Sequence, residues 1–221
     1  MAAILFIDTC TSTGLIAFFS SGKDPVVQLL PDAQRFAEQL HIAINQLLQQ
    51  NGKQLSDLDA VAVVSGPGSY TGLRVGLSAA KGLCFALDRP LYAFNRLILL
   101  EEQFRKHTLI SGTAAVLIPA RKEEWFVVAT DDQQNLLLPP QHLTEADWQQ
   151  WSASNEDQLT VAVASDGEKP AEGWVSEALY FDNRLDPIAL ASFVWKAYQA
   201  KKEVDLISIG PDYLKNAYVT S

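Results

Sequence analysis

The chain has few residues of the kinds that bind metals or form covalent cross-links. Its 221 residues include two cysteines, three histidines and one methionine. Cys10 and Cys84 belong to no CxxC pair, so the sequence offers neither a disulfide framework nor a zinc cage. The histidines, at positions 41, 107 and 142, form no HxxxH or HExxH pair, which excludes the helical zinc motif. We expect a protein of a reducing compartment that has no bound metal.

Basic residues and long apolar runs are also scarce. Lys and Arg number 17 against 26 Asp and Glu, a net charge of −9, and residues 111–221 carry the whole imbalance. A nucleic-acid-binding surface needs clustered Lys and Arg, so any contact with RNA is expected to be indirect. No apolar run approaches the roughly 20 residues of a membrane span, and the first residues lack the basic segment of a signal peptide. These features predict a cytoplasmic protein that does not bind membranes.

Short apolar runs separated by turn residues predict three strands at the start of the chain. The runs are Ile4–Ile7, Leu15–Phe19 and Val26–Leu30. Strands joined by such short turns form an antiparallel meander. A helix with an apolar stripe is expected over residues 33–50, and a fully buried strand over Ala60–Val64.

The rest of the chain alternates between helices and strands. A second helix is predicted from about Thr71 to Leu87, followed by a strand at Leu91–Phe94. In the second half we predict strands at Thr113–Ile118, Trp125–Thr130, Leu136–Leu138 and Leu159–Ala164, and helices at Thr144–Trp151 and Asp186–Lys202. Two successive halves of this kind indicate a duplicated α/β fold of the ribonuclease H or actin-like type, with mixed sheets. We place its two subdomains at residues 1–104 and 105–221.

Two segments are candidates for a nucleotide- or anion-binding loop. One is the turn Ser65–Gly76, where glycines permit a sharp reversal before a helix N-terminus, a position that attracts anions. Its spacing fits neither GxxxxGK[ST] nor GxGxxG, and a capped turn without a ligand is the favoured interpretation. The other is the hairpin Asp8–Thr13, for which a hydrogen-bonded tight turn is favoured. The candidate residues are Asp8, Thr9, Gly66, Gly68, Ser69 and Thr71.

The second helix has an unusual distribution of polar residues. Arg74, Ser78, Lys81 and Asp88 fall on one stripe roughly 80° wide that also contains Phe85, and nearly all other positions are apolar or glycine. A surface helix normally has an apolar stripe of about 100° or somewhat more. This helix is therefore buried on two sides within the chain, or buried in part by a second protein.

For the second alternative, small residues four apart on this helix would let another backbone come close. These residues are Gly72, Gly76 and Ala80. The residues selected as a partner interface, on this helix and the preceding one, are Phe36, Leu40, Ile44, Leu73, Gly76, Leu77, Ala80 and Cys84.

Several motifs resemble the TsaB (YeaZ) family. They are the Ile7–Thr9 opening, the Gly66–Gly76 run, Ala120–Arg121 before an aromatic strand, and the closing Pro211–Asn216. The similarity extends over essentially the whole chain, although Pro119 stands where the family usually has Asp, and Lys215 where it usually has Arg. The resemblance implies an actin-like (ASKHA) fold.

The resemblance also implies a function without a catalytic site or cofactor. The family supplies the partner subunit of TsaD, the catalytic subunit of threonylcarbamoyladenosine (t6A) modification of tRNA, and the ATPase TsaE docks on the pair. When TsaD is absent, a homodimer is a further expectation. In an alignment with TsaD, Arg96 and Leu100 occupy the positions of its HxxxH metal motif, and neither side chain binds a metal. Charged substitutions at Gly76 or Ala80 are then expected to prevent pairing with TsaD and to leave the chain folded.

Two other functions stay open on the residues alone. The first is an ATP-binding actin-like phosphotransferase or ATPase that uses the Asp8 and Gly66–Gly72 loops. The second is a metallopeptidase, which only the former name of TsaD, glycoprotease, suggests.

Overall fold

A computed structural model describes residues 2–155, 159–165 and 178–215 of the chain. The strands of these residues are β1 Ala3–Asp8, β2 Gly14–Ser20, β3 Val26–Leu30, β4 Ala60–Gly66, β5 Leu91–Asn95, β6 Thr113–Arg121, β7 Glu124–Thr130, β8 Leu136–Thr144, β9 Leu159–Ser165 and β10 Leu179–Asp182. The α-helices are α1 Phe36–Gln50, α2 Tyr70–Leu87, α3 Arg96–His107, α4 Glu145–Ala153 and α5 Pro187–Gln199.

The strands form two five-stranded sheets with the same topology. The order is β3-β2-β1-β4-β5 in one sheet and β8-β7-β6-β9-β10 in the other. In each sheet the first three strands pair antiparallel, the fourth pairs in parallel with the first, and the fifth pairs in parallel with the fourth. The predicted duplicated α/β fold with two mixed sheets is therefore confirmed.

The chain divides into two compact units. Unit 1 consists of Met1–Asn95 and Asp186–Asp212, and unit 2 consists of Arg96–Leu185 and Tyr213–Ser221. These units differ from the predicted division at residue 104. The physical reason is that α3 follows β5 without a linker and packs against β6 and β7, whereas α5 returns to β5 of unit 1.

Helices α1 and α2 cover one face of the first sheet. Alternate residues of β1 and β4, among them Leu5, Ile7, Val61 and Val63, point into a continuous apolar core beneath the two helices. Because side chains alternate across a strand, every second residue reaches the same core. This packing fixes which faces of α1 and α2 stay outside.

Three elements depart from the sequence pattern. Helix α3 is not predicted by it, because the apolar run Leu97–Leu100 follows β5 with no turn residue between them. Strand β8 continues to Thr144 instead of ending at residue 138, because an edge strand tolerates Pro139 and Pro140, which have no N–H to donate. Strand β10 is also absent from the prediction, and Asn216 of the closing motif lies outside the described residues.

Among the described residues, we find no helix with the length and apolar character that crossing a bilayer requires.

Candidate functional site

The glycine-rich turn of unit 1 packs against the hairpin between β1 and β2. The amide of Ser69 donates to the carbonyl of Cys10 at 2.7 Å, and the hydroxyl of Thr9 donates to the carbonyl of Gly72 at 2.7 Å. A Cβ on Gly72 would lie 1.9 Å from the carbonyl oxygen of Thr9, and one on Gly76 would lie 2.2 Å from its Oγ1. Only glycine fits at these two positions of α2.

The stripe of small residues on α2 therefore accommodates the chain's own hairpin. Thr9 is buried and lies against Gly72 and Gly76, where the sequence suggested the approach of a partner backbone. The interpretation of this stripe as a partner contact is corrected. The backbone that comes close belongs to the same unit.

Most of the residues selected as an anion loop make contacts within unit 1. The carboxylate of Asp8 is buried and accepts from the amide of Cys10 at 2.9 Å, as in the predicted tight turn. The hydroxyl of Ser69 caps α2 by accepting from the amide of Gly72 at 3.3 Å. Thr71 is exposed. The structure thus contains a hydrogen-bonded tight turn and a capped strand-to-helix turn.

Two further glycines of the turn are also closely packed. A Cβ on Gly68 would lie 2.5 Å from the carbonyl oxygen of Cys10, and one on Gly66 would lie 2.4 Å from that of Asp212. The glycine run is thus explained by close packing within unit 1, and the alternative of an ATP-binding enzyme is not favoured.

All residues selected as a partner interface are buried in the chain's own fold. Phe36, Leu40, Ile44, Leu73, Leu77, Ala80 and Cys84 have at most 4% of their surface exposed, and Gly76 is buried as well. Burial raises the pKa of the Cys84 thiol to about 11. A partner cannot reach these side chains. Charged substitutions at Gly76 or Ala80 would place a charge in the core of unit 1 and destabilise its fold. That selection is corrected, because the sheet and α1 already cover the apolar side of α2.

The polar stripe of α2 forms its outer face. The exposed residues of the helix are Tyr70, Thr71, Arg74, Ser78, Gly82, Phe85 and Ala86. Phe85 is 84% exposed, a large apolar side chain left in water. The guanidinium carbon of Arg74 lies 4.1 Å from the ring centroid of Tyr70, a cation–π contact. On the neighbouring α1, Ile42 is 59% exposed. Sequence reasoning selected none of Tyr70, Phe85 and Ile42 as contact residues, and Phe85 inside the polar stripe was the signal that could have pointed to this face.

Arg96 and Leu100 lie on the first turns of α3 in unit 2, and both are buried. The Nε of Arg96 donates to Oδ1 of Asn183 at 3.1 Å, and its guanidinium also donates to the carbonyl of Asn183. No pattern in the sequence pointed to Asn183. Across residues 2–155, 159–165 and 178–215 we find no group of three or more His, Cys, Asp and Glu side chains able to hold a metal.

The closing motif is bonded at both of its charged residues. In unit 1, the amide of Asp212 donates to the carbonyl of Ser65 at 2.7 Å, and Asn95 donates to its carboxylate at 2.6 Å. In unit 2, Lys215 donates to the carboxylate of Glu124, and this hydrogen bond holds the pKa of Glu124 below its ordinary value. The motif thus carries structural contacts.

Two sheets of identical strand order, each a meander extended by two parallel strands, place the chain in the class of α/β proteins with an actin-like fold. The family model described as TsaD, tRNA N6-adenosine threonylcarbamoyltransferase, matches residues 31–144, just over half of the chain. The chain belongs to this family.

Individual relatives are of two kinds. The tRNA threonylcarbamoyladenosine biosynthesis protein TsaB of Haemophilus influenzae is 25% identical, over 96% of this chain and 93% of that protein. A tRNA N6-adenosine threonylcarbamoyltransferase of Symbiobacterium thermophilum is 48% identical, but over 29% of this chain and 19% of that enzyme. A Pseudomonas aeruginosa crystal structure, of a protein with similarity to the peptidase YeaZ, superposes with a TM-score of 0.76 at 25% identity and covers 97% of this chain and all of that one.

Proposed function

We propose that this chain is the non-catalytic subunit that pairs with TsaD and enables threonylcarbamoyl transfer to adenosine 37 of ANN-decoding tRNAs. The observation that carries the proposal is the extent of the similarity. The alignment with a TsaB protein covers 96% of this chain and 93% of that protein, whereas a transferase of the same family matches over 65 residues, 19% of that enzyme.

The buried arginine of unit 2 supports the non-catalytic role. In the alignment with TsaD, Arg96 and Leu100 occupy the metal-binding positions. A guanidinium has no lone pair to offer a metal, and that of Arg96 is already hydrogen-bonded to Asn183. Leu100 is fully buried and offers only carbon. Metal chemistry in the pair is therefore assigned to TsaD.

The outer face of α2, together with that of α1, is the proposed docking surface. The family model covers both helices, so TsaD has counterparts of them, and homologous faces can meet about a pseudo-twofold axis. Unpaired apolar side chains such as Phe85 and Ile42 are the kind that protein interfaces bury. When TsaD is absent, the same face would form a homodimer.

The remaining partners follow from the pairing. TsaE is proposed to dock on the pair, and the acidic chain is proposed to meet tRNA only through TsaD. Because that complex acts on tRNA, we place the chain in the cytoplasm. No cofactor is assigned to it.

The test is the molar mass in solution of the chain, of TsaD from the same organism and of their mixture, together with the rate of threonylcarbamoyl transfer to tRNA. We expect a heterodimer, transfer by the mixture and none by this chain alone. Phe85→Asp should prevent the heterodimer and leave the thermal unfolding temperature of the chain unchanged. Ile188→Asp is the matched control, since Ile188 is 72% exposed on α5 of the same unit. A wild-type mixture that stays dissociated, or transfer by this chain alone, would refute the proposal.

A further inference from the structure

A segment near the end of the chain packs on unit 1 beside α2. We call residues 203–212 the strap. It begins next to edge strand β5, where the amide of Val204 donates to the carbonyl of Leu91 at 2.9 Å in an antiparallel bridge. The side chains of Val204, Leu206 and Ile209 then pack against the core under α1 and α2. The strap is thus part of the fold of unit 1.

The middle of the strap is attached directly to α2. Lys81 of that helix donates from Nζ to the carbonyl of Ile209 at 2.9 Å and to that of Ile207 at 3.4 Å. The carboxylate of Asp205 accepts from the amides of Ile207 at 3.3 Å and Ser208 at 3.1 Å. A turn held by these bonds keeps the position of Ile207 fixed relative to α2.

Ile207 is the one residue of this turn whose apolar side chain points outward. It is 90% exposed, while Leu206 and Ile209 on either side pack inward. Phe85 follows Lys81 by four residues, so these two side chains are neighbours on the face of α2. Lys81 therefore borders both Phe85 and the turn that carries Ile207. The outer face of α2 continues onto the strap.

We propose that the strap is part of the surface that receives TsaD, with Ile207 as its apolar contact and Lys81 as the residue that positions it. This inference rests on the proposed function and extends its docking surface beyond the helices. TsaD is the expected binding partner of the strap, because the strap is continuous with the outer face of α2. Lys81 joins the two, since it belongs to α2 and donates to carbonyls of the strap. The strap also lies outside residues 31–144, the segment that matches the TsaD family model. It therefore adds to the interface an element that this segment does not contain.

The test is the dissociation constant of the complex with TsaD, measured by calorimetry for variants of the full chain. Ile207→Asp should weaken binding by about tenfold or more, since it removes a large apolar group from the contact and adds a charge there. Lys81→Met keeps the aliphatic part of the side chain but loses both hydrogen bonds to the strap. This substitution should weaken binding by a smaller factor. Ile188→Asp is again the control, and thermal unfolding verifies that each variant is folded.

The outcomes separate the strap from the docking face itself. If Phe85→Asp abolishes binding while folded Ile207→Asp binds like the wild type, the strap has no part in the interface and this inference is overturned, although the proposed function stands. If the wild-type chain fails to bind TsaD, both fall together. Weakening by Ile207→Asp without an equal effect of Ile188→Asp supports the strap.

Discussion

The two units have the same strand order, but their helices are attached to the sheets by different means. In unit 1, α2 fits against the hairpin because Gly72 and Gly76 leave space for Thr9. In unit 2, α3 is fixed to β7 through Thr130: the guanidinium of Arg105 donates to the carbonyl of Thr130 at 2.9 Å, and the hydroxyl of Thr130 donates to the carboxylate of Glu101 at 2.5 Å. Arg105 and Glu101 also form a buried ion pair with each other on α3. One attachment is steric and uncharged, and the other is electrostatic.

The two units also differ in net charge. By sequence, unit 1 has 9 basic and 11 acidic residues and unit 2 has 8 and 15, so unit 2 carries −7 of the net −9. Unit 1 is nearly neutral and exposes the apolar side chain of Phe85 on α2. A nearly neutral surface with exposed apolar groups suits protein association, and an acidic one suits solubility.

The largest expected effect comes from breaking the electrostatic attachment of unit 2. Arg105→Ala should destabilise the chain by about 3–5 kcal/mol, because it leaves the buried carboxylate of Glu101 without its cation. Thr130 would still donate to that carboxylate at 2.5 Å, but a hydroxyl supplies no charge. Urea denaturation measures the change.

The same helix offers a matched control for that substitution. Lys106 and Glu102 have the same spacing, with 3.2 Å between Nζ and Oε1, but the side chain of Lys106 is 41% exposed, against 10% for Arg105. Lys106→Ala should therefore change the free energy of unfolding by only about 0.3–0.5 kcal/mol. Equal effects of the two substitutions would show that the Arg105 pair is not the attachment of α3.

The steric attachment of unit 1 is tested by two glycines of one helix. Gly72→Ala should destabilise the chain by about 1–3 kcal/mol or more, because the new methyl group would overlap the carbonyl oxygen of Thr9. A Cβ on Gly82, which lies on the outer face, would meet no neighbouring group within 4 Å. Gly82→Ala should therefore stabilise the helix by about 0.5–1 kcal/mol. Thermal unfolding in parallel compares the two, and a stabilising Gly72→Ala would contradict the close fit.

The smallest expected effect is a pH dependence in unit 2. The hydrogen bond from Lys215 lowers the pKa of Glu124, and His142 lies 3.2 Å from the same carboxylate oxygen. A carboxyl group whose pKa is lower in the folded state stabilises the fold above its unfolded pKa of about 4.3, and this stabilisation is lost as the pH falls through the folded pKa. Glu124→Gln should therefore cost stability at pH 6 and less at pH 3.5. Urea denaturation measures the loss of stability. An identical loss at pH 6 and pH 3.5 would show that the ionised Glu124 does not stabilise the fold.

The fold could be predicted from sequence wherever a period of hydrophobicity was bounded by turn residues. The three strands of the meander, α1 and α2 all have such boundaries. Helix α3 could not be predicted, because Arg96 follows the last residue of β5 directly and the Leu97–Leu100 run fits a strand as well as a helix. Where one element follows another without turn residues between them, the sequence pattern does not show the boundary.

The candidate site was less predictable than the fold. The apolar character of α2 correctly indicated burial, but a sequence does not say whether the cover is a sheet of the same chain or another protein. The glycines of α2 indicate a groove, and only coordinates place Thr9 in it. The polar stripe around Phe85 marks the outer face, from which the sequence analysis selected no interface residue.

The central claim is that TsaD binds the outer face of α2, and thiol labelling tests it most directly. A thiol introduced by Ser78→Cys should react with a maleimide in the free chain and become protected when TsaD is added, because Ser78 is exposed on that face. Gln199→Cys, exposed at the end of α5, should react in both states. The native cysteines are buried and should stay unlabelled. If the position-78 thiol reacts equally fast in a mixture whose mass proves the heterodimer, TsaD binds elsewhere and the claim is contradicted.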